Sequence, residues 1–143
     1  MYTGIKHLHS YLAYFLLAVI IFVILYTFYQ MVRKGSFSER VRKIALAGFI
    51  AAHLQLLFGL ILYFISPVGL SQFSSEAMQD TLARLYVLEH PLTMIIGIVL
   101  ITIGYIKAKK PGDDVRRLRT IFLYYTGGLI LMLLRIPWTV WPS

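Results

Sequence analysis

Four apolar runs, each poor in charge, constrain this chain more than any motif does. They cover residues 8–30, 44–65, 85–107 and 119–138. Each is close to the roughly 20 residues that a helix needs to cross the hydrocarbon core of a bilayer. Backbone in lipid must satisfy its own hydrogen bonds, which selects helices for such runs. The chain is 59% hydrophobic and 14% charged, outside the range of ordinary soluble domains. The expectation is an all-α, integral membrane four-helix up-down-up-down bundle, formed by residues 1–143 as a single domain. The first run is too long for the apolar part of a signal peptide, and no small-residue cleavage site follows it. It therefore reads as a retained transmembrane helix.

Charge placement orients the bundle. Arg33, Lys34, Arg40, Arg42 and Lys43 fall in the first connection, and Lys107, Lys109, Lys110, Arg116, Arg117 and Arg119 in the third. The positive-inside rule puts both connections in the cytoplasm, and both termini on the outer, periplasmic side of a bacterial inner membrane. Trp138, Trp141, Tyr2 and Tyr11 suit the outer interface, and Tyr26, Tyr29 and Tyr105 the inner one. The net charge of +8 then follows from topology and contact with anionic lipid, with no need for nucleic acid. The chain has no cysteine, which excludes disulfides, iron–sulfur ligation and thiol chemistry. A short internal echo links "ERVRKI" (39–44) to "DDVRRL" (113–118). If the two halves are parallel repeats, His9 and His90 become counterparts.

Ionisable side chains within membrane segments are functional candidates by default. Here they are His7, His9, His53, Glu89, His90 and Arg135. At about 1.5 Å of rise per residue, His9, Glu89, His90 and Arg135 share the outer third of the bilayer, and His53 lies about 10 Å deeper. His7 and His9 point about 200° apart. Only one of them can face the bundle, and face analysis alone does not choose between them. The third helix carries His90, Met94, Gly97, Ile101 and Gly104 on one stripe, the fourth carries Gly128 and Arg135 on one face, and Gly48, Ala52, Gln55 and Gly59 mark the second.

Low-spin b-type haem needs two imidazoles at one depth, on helices facing each other across a bundle. His9 and His90 meet that requirement as candidate metal ligands. Arg135 is placed to pair with a propionate, Gly97 and Gly128 to make room for the porphyrin, and His53 to support the group from below. The plainer readings are an interfacial His7, an interhelical hydrogen bond from His53, an ion pair between Glu89 and Arg135, and glycines spent on helix packing. No catalytic group is assigned.

The segments "KHLHSYLA", "AHLQLLFGLILYFISP", "EHPLTMIIGIVLI" and "RIPW" together resemble a family of small four-helix membrane proteins of Bacteroidetes-type bacteria that carry the label "cytochrome B". The resemblance spans nearly the whole chain and implies haem b. The Lys6-to-His9 opening is also similar to the membrane protoporphyrinogen oxidase type and to copper-resistance D-type domains. That similarity is confined to the first helix, where it singles out His9 over His7. The oxidase type's other signatures are missing from the later helices, so its activity does not carry over. The function expected is electron transfer near the periplasmic face, with a quinone or a respiratory redox complex as partner, in lipid and as a monomer or oligomer. The alternative is a non-redox integral subunit that stabilises or docks a larger membrane complex. A third reading, metal or proton handling by the histidines and Glu89 with Met94 as a soft ligand, has less support because the other methionines are scattered.

Overall fold

The computed structural model describes residues 1–141, and among them every regular element is helical. Helix α1 spans Tyr2–Val32, α2 Glu39–Ile65, α3 Ser75–Gln79, α4 Thr81–Arg84, α5 His90–Ala108 and α6 Asp114–Arg135. A π-helical turn, Leu85–Glu89, joins α4 to α5, so that Thr81–Ala108 runs as one span. Four helices are long and apolar enough to cross a membrane. They are apolar on nearly all sides. Phe15, Phe22, Leu25 and Leu134 are exposed, as expected where the solvent is lipid.

Local chemistry sets the helix ends. After α1, Lys34 adopts the left-handed conformation (φ 54°), and Gly35 N–H donates to the Gln30 carbonyl at 2.8 Å. This is a Schellman closure with lysine in the place usually held by glycine. Ser38 caps α2 by accepting from Val41 N–H, and Asp113 caps α6 by accepting from Arg116 N–H at 2.9 Å. Pro67 forces Ser66 into extended backbone and ends α2.

The second and fourth helices start at Glu39 and Asp114, five residues ahead of their apolar runs, and two further boundaries are also corrected. The first helix starts at Tyr2, ahead of residue 8, so both His7 and His9 lie within it. The fourth stops at Arg135 instead of 138, because Pro137 drives Ile136 to an extended ψ of 136°. Hydrophobicity continues to Trp138, but helix does not.

Helix α1 packs on α2 and α6, and α5 packs on the same two, so α1 and α5 occupy opposite corners of the bundle. The core includes Ile20, Val23, Ala45, Ile101, Leu118, Ile121 and Tyr125. Tyr125 is fully buried, and its hydroxyl donates to the Ala45 carbonyl at 2.6 Å, tying α6 to α2 through the centre. Gly48 makes room for it: a Cβ there would lie 3.0 Å from the Tyr125 ring and 3.1 Å from Ile20.

Candidate functional site

A cavity of about 560 Å³ opens between the four long helices at one end of the bundle, within the roughly 300–1,000 Å³ of small-molecule sites. It is walled by the first half of α1, the last third of α2, the start of α5 and the segment around the end of α6, and its lining is mainly apolar. Both His9 and His90 line it.

The α1 face reaching the cavity carries Tyr2, Lys6, His9, Ala13 and Leu16, a helical spacing that selects His9. His7 is exposed and lies beside Tyr11, with ring centroids 6.5 Å apart. Two features of α2 place His9. The Gln55 amide nitrogen donates to the His9 carbonyl at 2.9 Å and sits 3.4 Å from His9 Nε2. The His9 ring lies against Gly59, where a Cβ would come within 3.1 Å of Cε1. Among the described residues, buried His9 Nδ1 and Gln55 Oε1 have no hydrogen-bond partner, an uncommon state for buried polar atoms that calls for an explanation.

His90 opens α5 directly after the π-turn, and its backbone N–H donates to the Leu85 carbonyl. Its Nδ1 donates to the Arg135 carbonyl at 2.8 Å. That bond fixes the tautomer and leaves the Nε2 lone pair available, as in histidines that ligate metals. Pro91 follows and supplies no N–H for the Val87 carbonyl four residues back. The Tyr63 hydroxyl donates to that carbonyl instead, at 2.8 Å.

The other expected site residues lie elsewhere. Arg135 is not among the lining residues; its Nε faces Glu89 at 3.4 Å, and Glu89 also binds Arg84 Nε at 2.7 Å. The ion pair weighed from sequence is present, with Arg84 as an unforeseen third member. Gly97 and Gly128 are buried where α5 and α6 meet backbone to backbone. A Cβ on Gly128 would stand 2.8 Å from the Gly97 carbonyl oxygen, and one on Gly97 3.1 Å from that of Gly128. The space expected there for a porphyrin is taken by the facing helix. The glycine that borders the cavity beside a histidine is Gly59. His53 is also outside the lining. Its Nδ1 bonds the Phe49 carbonyl at 2.7 Å, and its Nε2 meets Thr102 Oγ1 on α5 at 3.3 Å.

Gln55, Gly59 and Tyr63, spaced four apart, form the α2 wall. The first two stood on a recognisable small-residue stripe in the sequence. Nothing local marked Tyr63, because its partner is a carbonyl freed by a proline on another helix. Among the described residues no group of three or more His, Asp or Glu side chains converges as a metal site. The cavity therefore offers two imidazoles, enough for a ligand that brings its own equatorial donors. No family model, curated protein or solved structure matches the chain.

Proposed function

We propose that this chain is a b-type haem protein of the bacterial inner membrane that takes part in electron transfer near the periplasmic face. In this reading the four spans run up-down-up-down with both termini outside, as the charge asymmetry favours. The observation that carries the proposal is the placement of His9 and His90, on opposite corners of the bundle, in the wall of one apolar cavity. The macrocycle of haem supplies four equatorial nitrogens, so two histidines suffice as the protein's share. His90 is prepared for ligation by its Nδ1 bond to the Arg135 carbonyl, and His9 by the Gln55 clamp on its backbone. Haem, when bound, would supply one-electron chemistry. The residues around it would set ligand orientation and exclude water, Met94, Ile98 and Leu16 forming the dry wall. A quinone or a redox complex in the same membrane is the proposed electron partner.

The test is a visible spectrum of protein purified from a haem-replete host. A reducible Soret band with sharp α and β bands is expected, lost in both His9→Ala and His90→Ala and kept in His7→Ala. A folded protein with no such band would sink the reading.

A second reading, a non-redox integral subunit, is favoured by the Arg84–Glu89–Arg135 cluster and the close α5–α6 contact, which lock the bundle without any ligand. It predicts the colourless outcome, together with co-purification in a larger membrane complex.

A further inference from the structure

At the other end of α5 and α6 lies a second pocket, of about 390 Å³, lined by Lys107, Lys110, Asp113, Arg116, Arg117 and Thr120, with Tyr124 at its base. Four cations and one carboxylate line it, and that carboxylate is already spent capping α6 through Arg116 N–H. Lys107 Nζ is held 3.2 Å from the Tyr124 hydroxyl and 5.4 Å from its ring centroid. Arg117 is fixed by its Nε donation to the Ala108 carbonyl at 2.7 Å and by stacking over Phe37, 4.0 Å from the ring centroid. Lys110 and Arg116 have no side-chain partner among the described residues. Two cations are thus pre-positioned and two are free to close; Arg117 also faces Asp114 Oδ1 at 4.0 Å, and with Asp113 that leaves four cations against two carboxylates, a net positive pocket.

The pocket also sits where two candidate membrane spans end and begin. One turn further into the bundle from Lys107 and Thr120, Ile103 and Leu123 are exposed apolar side chains, a surface for acyl chains. We infer that this pocket binds the phosphate of an anionic phospholipid headgroup, with Lys107 and Arg117 as fixed contacts and Lys110 and Arg116 closing over it. Phosphate chemistry is what such a cluster recognises, since Arg pairs with phosphate in bidentate fashion and Lys acts as a point charge. Basic pockets between membrane helices on the cytoplasmic side are known headgroup sites. A free phosphate offers the same contacts but would leave the apolar surface below unused. The inference does not depend on the haem reading.

The experiment uses the full chain in detergent micelles, with thermal unfolding and native mass spectrometry as readouts. Short-chain phosphatidylglycerol, short-chain phosphatidylcholine and inorganic phosphate are titrated separately. Phosphatidylglycerol is expected to raise Tm and remain bound in the mass spectrum. Lys110→Gln/Arg116→Gln should weaken it on the order of tenfold or more, given the worth of each surface cation toward anionic lipid. The charge-matched control Arg40→Gln/Lys43→Gln, in the first turns of α2, should leave it unchanged. Equal weakening in the control would overturn the proposal in favour of a diffuse charge effect. Equal binding of phosphatidylcholine, or full reproduction of the effect by inorganic phosphate, would overturn the anionic-lipid assignment. Both altered residues have exposed side chains whose loss leaves the caps and the core intact, so a folded protein is expected in every arm.

Discussion

The Tyr63 hydroxyl donates to the Val87 carbonyl at 2.8 Å, filling the place that the N–H of residue 91 would hold in an uninterrupted α-helix. Pro91 has no N–H, and the chain ahead of it widens into a π-turn over Leu85–Glu89. Such turns are rare and often sit at functional positions. Here the turn sets where His90 enters the bundle, and Tyr63 reaches it from α2.

Tyr63→Phe leaves the Val87 carbonyl, on a residue that is 1% exposed, without that donor, at an expected cost of about 1–3 kcal/mol. In a Pro91→Ala background the restored N–H takes over the carbonyl, so the same change should cost clearly less. A double-mutant cycle by chemical denaturation in micelles measures the coupling. Additive losses would show that the tyrosine does not answer the proline.

Adjacent glycines on α6 should behave differently. A methyl at Gly128 meets the Gly97 oxygen at 2.8 Å and Ile101 at 2.9 Å, whereas at Gly127 the nearest atom is Leu100 Cδ1 at 3.6 Å. Gly128→Ala should therefore force α5 and α6 apart and cost about 1–3 kcal/mol, by the usual penalty for overpacking. Gly127→Ala should be neutral or slightly stabilising, from the gain in helix propensity. Thermal unfolding of the two variants side by side tests this ordering.

His53 has both ring nitrogens engaged, by Phe49 on its own helix and Thr102 on α5, and its ring packs against Phe49 with centroids 4.2 Å apart. His53→Leu keeps most of the volume and removes the polar tie. The expected loss is about 0.6 kcal/mol, typical of polar pairs between membrane helices, with any haem spectrum unchanged. Disappearance of the band in this variant alone would transfer the ligand role to His53.

These residues show what the sequence made legible. The four helices were readable because a bilayer imposes one length and one polarity on every span. The shared depth of His9 and His90 was readable because rise per residue is fixed, but rotation sent His7 and His9 to different faces without saying which face meets the bundle. The limits have equally definite causes. Pro137 ends α6 within a run that remains apolar, so hydrophobicity overstates the helix. Glycine stripes do not say what occupies them: Gly97 and Gly128 receive each other's backbone, while Gly59 receives the His9 ring. Arg135 shares a helix end with the cavity, but Glu89 and Arg84 decide where its guanidinium rests, and that three-way pairing depends on a turn geometry invisible in residue spacing.

The Gly59–His9 contact offers a test that leaves both proposed ligands in place. The His9 ring already fills the space over Gly59, with Cε1 3.1 Å and Nδ1 3.6 Å from where a Cβ would stand. Gly59→Ala asks the ring to shift by a few tenths of an ångström, which an imidazole at a cavity wall can do. Gly59→Leu fills the wall and displaces the ring into the space a bound group would need. Helical content and elution volume should stay close to the parent in both variants, because the added atoms project into a cavity and not into the packed core. Under the haem reading the alanine variant keeps its Soret band, and the leucine variant loses most of its occupancy. A leucine variant that folds and retains the full band would show that the group binds elsewhere. The comparison is sharper than deleting His9, since removal of the imidazole also empties the space over Gly59 and removes the 3.4 Å approach of the Gln55 amide to the ring, which confounds ligation with packing.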